Sequence, residues 1–224
     1  MPPVPLICFS DVLCVWAYIA ELRLAAVRAE FGEQVRIEQR FCSVFGDTAR
    51  KIPAAWRDKG GYEGFNAHVR HSAAGFPEVT VHPDLWLTVR PASSMGAHLF
   101  LKAAQLDEAA GGGAPGSAEA ALHGLRHAFF AEARDIADWR VQGEVGRDVG
   151  LDIGRIEALI HDGQAFAALA ADYQEAETLR VQGSPTFILN EGRQRLFGNV
   201  GYRIIEANIQ ELLRAPKVDQ ASWC

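Results

Sequence analysis

Hydrophobic positions follow two rhythms along this chain, and the rhythm depends on where one looks. Val4–Ser10 is apolar almost throughout and follows a run of prolines, which predicts a short buried strand. Asp11 to Leu13 turn the chain. From Val15 to Phe31 the apolar residues Trp16, Ile19, Leu22, Leu24, Val27 and Phe31 return every three to four positions, which predicts a helix closed by Gly32. Val35–Cys42 then alternates as a second strand. Strand, helix, strand is a βαβ unit, so these two strands should be parallel with a right-handed crossover.

Strand signals stop for about 140 residues after this point. Pro53–Val69 reads as a helix that Gly60, Gly61 and Gly64 should break or fray, because glycine costs a helix backbone entropy. Pro77–Pro91 is irregular, with Trp86 as its anchor. Ser93 and Ser94 should cap a helix reaching Ala110. Gly111–Ser117 is a loop, and helices follow at 118–133, 138–149, 153–161 and 164–180. Alternation returns only at Pro185–Asn190 and Gln194–Phe197, joined as a hairpin through Glu191, Gly192 and Arg193. A last amphipathic helix carries Ile204, Ile205, Ile209, Leu212 and Leu213. The economical architecture is an α/β domain, formed by residues 1–50 and 163–224, interrupted by a helical insertion at 51–162.

Composition narrows the function classes. Apolar residues make up 49% of the 224 and charged residues 22%, which is globular usage and excludes a disordered or fibrous chain. No apolar run approaches a membrane span, so no membrane partner is expected. The net charge of −6 lacks the basic footprint of a nucleic-acid binder, and none is expected as partner. The N-terminal segment lacks the basic and apolar regions of a secretory signal, and four cysteines (Cys8, Cys14, Cys42, Cys224) make no disulfide scaffold. A reducing cytoplasm is the expected compartment. The histidine pairs His68/His71 and His123/His127 have helical spacing but no third ligand in sequence, so no metal is expected.

Two motifs carry chemistry. In Ser10-Asp11-Val12-Leu13-Cys14-Val15-Trp16-Ala17-Tyr18 a cysteine stands where a strand has ended and a helix begins. Free N–H groups and the helix dipole favour an anion there, so the Cys14 thiol should ionise below the ~8.5 of a free cysteine. Cys8 and Cys42 lie in apolar strands and read as inert. In Gly183-Ser184-Pro185-Thr186-Phe187 a proline opens a strand, a candidate cis bond. Such a bond would present the backbone of Ser184 to an extended peptide or a thiol tripeptide lying across Cys14. Trp16 reads as a packing residue beside the site.

The succession of strand, Cys-x-Trp at a helix start, strand, long helical insert, Gly-x-Pro-Thr, hairpin and helix resembles the DsbA-like thioredoxin superfamily. The nearest branch is the FrnE-like group, with the 2-hydroxychromene-2-carboxylate isomerases and kappa-class glutathione transferases. Arg134-Asp135-Ile136, Gly150-Leu151-Asp152 and Phe197-Gly198-Asn199 add to the likeness. The resemblance implies a thioredoxin-like fold with a large all-helical insertion, Cys14 as the nucleophile, a cis Pro185, and substrate contacts at Trp16, Ser184 and Pro185. Dithiol members carry Cys-Pro-Trp-Cys, whereas here the four residues are Cys14, Val15, Trp16 and Ala17. The resolving thiol is therefore replaced by Ala17.

Three functions compete. One is a thiol-disulfide oxidoreductase with a single active-site thiol, resolved by glutathione or by a remote cysteine. Another is a glutathione-dependent isomerase or transferase. The third is a non-enzymatic binding module with an inert Cys14. For the first two, glutathione is a co-substrate and no cofactor is held permanently. The partner is a thiol or disulfide, on a peptide or a small molecule, and a homodimer is left open. Cys224, beside Trp223 at the end of a tail that follows Pro216, is a candidate substitute resolving thiol.

Overall fold

The computed structural model describes residues 2–214. The candidate resolving thiol Cys224 therefore lies outside the described residues. Chain order is β1 (Val4–Ser10), α1 (Val15–Phe31), β2 (Val35–Phe41), α2 (Thr48–Ala55), α3 (Gly61–Ala73), α4 (Met95–Ala109), α5 (Ser117–Phe130), α6 (Trp139–Asp148), α7 (Ile153–His161), α8 (Gln164–Thr178), β3 (Thr186–Leu189), β4 (Gln194–Phe197) and α9 (Tyr202–Leu213). The four strands form one sheet in the order β2-β1-β3-β4. β1 and β2 are parallel, with Ser10 opposite Phe41, and β3 runs antiparallel to both β1 and β4.

Strand periodicity explains how this sheet is covered. Successive side chains leave opposite faces. Leu6 and Cys8 of β1, with Phe187 and Leu189 of β3, meet Leu24 and Val27 of α1 and Ile205 and Ile209 of α9. The intervening Phe9 and Ile188 join Cys42 and Ala176 of α8 on the other face. A larger core fills the helical segment and reaches the start of α1 through Val12, Leu13, Val15 and Ile19. Trp86 is fully buried within it and packs on Phe45, Phe65 and Phe129.

Two glycines in the expected helix at 53–69 behave differently. Gly60 takes a left-handed φ of 86° and separates α2 from α3, as the break requires. Gly64 instead lies inside α3. A Cβ there would sit 1.7 Å from the Lys59 carbonyl oxygen, so this glycine permits a close backbone approach and does not interrupt the helix.

Candidate functional site

β1 ends at Ser10, and the next four residues make a tight turn in which the Cys14 N–H donates to the Asp11 carbonyl at 3.1 Å. Cys14 is the N-cap residue of α1, with an extended backbone, and is only 6% exposed. Its thiol donates to the carbonyl oxygen of Ser184 at 3.2 Å. The Ser184–Pro185 peptide is cis, and both residues are buried at the mouth of β3. The two motifs thus meet across 170 positions of chain. The reason is topological: β1 and β3 are neighbours, so the C-terminal end of one faces the start of the other. Trp16 is half-buried and packs on the large core beside the thiol.

The electrostatics of Cys14 depart from the sequence expectation. Burial raises its pKa above the ordinary thiol value, because a thiolate loses water there. The Ser184 hydroxyl and the N–H groups of Ala17 and Trp16 pull it down, and the Asp11 carboxylate pushes it up again. The helix start therefore acts as expected, yet burial outweighs it, and the resting sulfur is a protonated thiol. Cys8 is pushed up to about 12 by burial. Cys42 is raised as well, by burial and then by Asp11. Only Cys14, among the described cysteines, has hydrogen bonds that lower its pKa. Cys42 is not remote from the site: it lines a cavity of about 270 Å3 together with Val44, Tyr173 and Gly183.

Sequence reasoning missed the residues that hold this turn. Asp11 is fully buried. One carboxylate oxygen accepts from the Leu13 N–H at 3.0 Å. The other accepts from the Val44 and Phe45 N–H groups at 2.9 and 2.7 Å and from the Ser94 hydroxyl at 2.9 Å. The Asp11 N–H in turn donates to the Ser184 hydroxyl at 2.8 Å. A buried charge is tolerable only with such partners. The expected cap of α4 is accordingly divided: Ser93 Oγ accepts from the Met95 N–H, while Ser94 serves Asp11.

His98 supports the same turn from α4. Its Nε2 accepts the Val12 N–H at 3.1 Å, so the ring proton is on Nδ1 and faces Tyr173 Oη at 3.0 Å. Burial lowers the His98 pKa, which keeps the ring neutral. Asp11 carried a weak signal, a short acid three residues before a cysteine at a helix start. His98 and Tyr173 carried none.

The other histidines lie elsewhere. His68 packs at a tilt against the ring of Trp56, and His123 is held between Glu21 at 2.8 Å and Glu119 at 3.2 Å. No group of three metal-ligating side chains occurs among the described residues. No described helix is long and apolar enough to cross a membrane.

A DSBA-like thioredoxin domain model matches residues 6–210. The chain belongs to that family. Its solved neighbours share the thioredoxin-like fold with a helical insertion. A probable DsbA oxidoreductase from Streptomyces coelicolor superposes on this DSBA-like chain with a TM-score of 0.71 at 19% identity, covering 94% of this chain and 90% of that one. The cytosolic disulfide reductase DsbM from Pseudomonas aeruginosa, solved with GSH, gives 0.63 at 23% identity over 94% and 100%. A 2-hydroxychromene-2-carboxylate isomerase gives 0.65 at 17% identity over 94% and 97%. No curated protein matches this DSBA-like chain in sequence.

Proposed function

We propose that the protein is a thiol-disulfide oxidoreductase working with Cys14 as its single active-site thiol and glutathione as the resolving thiol. The observation that carries this reading is the Cys14 sulfur, seated on the Ser184 carbonyl at 3.2 Å with the first N–H groups of α1 turned toward it. In the resting state the thiol proton occupies the Ser184 carbonyl. Loss of that proton does two things at once. It leaves a thiolate facing the Trp16 and Ala17 N–H groups, and it frees the carbonyl to accept a backbone N–H from an extended substrate.

The thiolate then attacks one sulfur of a substrate disulfide. The substrate S–S bond breaks, a Cys14 mixed disulfide forms, and the other sulfur leaves as a thiolate that takes up a proton. With alanine at position 17, no neighbouring thiol in the motif can displace Cys14. A glutathione thiolate attacks the substrate sulfur of the mixed disulfide instead, releasing the Cys14 thiolate and leaving a glutathione–substrate disulfide. A reducing cytoplasm suits this reaction. The cytosolic reductase DsbM with GSH among the structural neighbours supports the same reading.

The test is turnover of a glutathione-linked disulfide substrate with reduced glutathione in excess. Cys14→Ser should reduce turnover to the uncatalysed rate, and mass spectrometry should trap a mixed disulfide on Cys14. A Cys14→Ser protein with unchanged turnover would end the proposal.

A further inference from the structure

Gln182 and Thr186, the residues that flank the Gly183–Pro185 loop, also line a separate hollow. Arg180, Gln182, Thr186, Arg193, Arg195 and Phe197 enclose a hollow of about 380 Å3. Three of these six residues are cations and none is an anion, on a chain whose net charge is −6. Arg193 has a loose partner in Glu191 at 3.7 Å, itself 84% exposed. No carboxylate among the described residues comes within ion-pairing distance of Arg180 or Arg195.

The strand register explains how the hollow arises. Arg195 and Phe197 are two apart on β4, so both leave the same face of the sheet, opposite Ile188 and Thr186 of β3. That is the face α8 covers at β1 and β3. The cover ends before the edge strand, and Phe197 is left 56% exposed. Its ring lies against Gly183, where a Cβ would stand 2.8 Å from the ring. The residue before Ser184 therefore packs on a ring that lines the hollow.

We propose that this hollow is a specificity subsite for an acidic peptide segment flanking the disulfide that reaches Cys14. The inference deepens the proposed function and rests on substrate lying along the Ser184 loop. An extended chain bonded at Ser184 and continuing past Gly183 runs over the Phe197 ring and between the arginines. Guanidinium groups there match carboxylates in bidentate fashion, and a cluster of one sign steers association.

Two peptides of equal length test this, each with one glutathionylated cysteine, flanked by glutamates in one and lysines in the other. The expected result is an acidic peptide that reacts with Cys14 about tenfold faster at low salt, with the preference fading as salt rises. Arg193→Glu with Arg195→Glu should reverse the preference, and the paired Gln variants should abolish it. Equal rates for the two peptides, or a preference the variants leave intact, would overturn the subsite. Binding of the same peptides, with serine for cysteine, to the Cys14→Ser protein separates the two readings. A retained acidic preference there supports the subsite even if Cys14 proves unreactive, and equal binding removes the subsite even if Cys14 reacts.

Discussion

Burial and the helix start act on Cys14 with opposite signs, and the Asp11 carboxylate adds to the effect of burial. Replacing that acid separates its electrostatic and structural effects. Asp11→Asn removes the charge that raises the thiol pKa, so alkylation of Cys14 should become half-maximal at a lower pH. The same change puts an amide where three N–H groups and a hydroxyl converge, and an amide offers one accepting atom instead of two. The variant should lose about 1–3 kcal/mol of stability, read as a lower urea midpoint. A thiol that titrates at the wild-type pH in this variant would refute the electrostatic role assigned to Asp11.

Between elements, the tie most exposed to mutation is Arg126 of α5. Its side chain is 1% exposed and reaches Glu21 of α1 at 2.7 Å and Ser10 of β1 at 2.8 Å. It joins the helical segment to the strand and helix that carry Cys14. Removing the guanidinium takes away its bonds to Glu21 and Ser10 and leaves Glu21 with His123 as its remaining partner, at a cost of about 1–3 kcal/mol. Arg126→Ala should show that loss in urea unfolding, whereas Arg134→Ala, a surface ion pair with Glu132 and Glu144, should change stability by less than about 1 kcal/mol. Equal effects from the two would show that the buried tie contributes no more than the surface pair.

Across the whole molecule, His123 links stability to pH above neutrality. Glu119 and Glu21 raise the His123 pKa from 6.5 to about 9. A raised pKa means the folded protein holds this proton more tightly than the unfolded chain. The stabilisation is complete below about 6.5 and is lost as pH climbs through about 9. His123 is 40% exposed, so water and salt reduce the effect. Melting temperatures measured from pH 6 to 10 should decline through this window in the wild type. His123→Gln should flatten the decline, and an unchanged slope would assign it to other groups.

What the sequence determined by itself was the order of elements and the residues that start them. Period-two alternation at the two ends and a three-to-four residue period between them are local properties, set by which side of a strand or helix meets apolar neighbours. Cys14 at a helix start and Pro185 at a strand start were legible for the same reason. The family's topology then implied that the two meet, and the Cys14–Ser184 contact places them together. Only the tertiary structure decided the sign of the Cys14 pKa shift, because desolvation depends on what is packed over the sulfur and helix position does not report it. It also decided that Asp11 would be buried under partners from positions 44, 45 and 94, and that a histidine on α4 would hold the Val12 N–H. Those partners are far along the chain, and no local pattern marks a side chain that will become a neighbour only when the sheet and the helical segment close on each other.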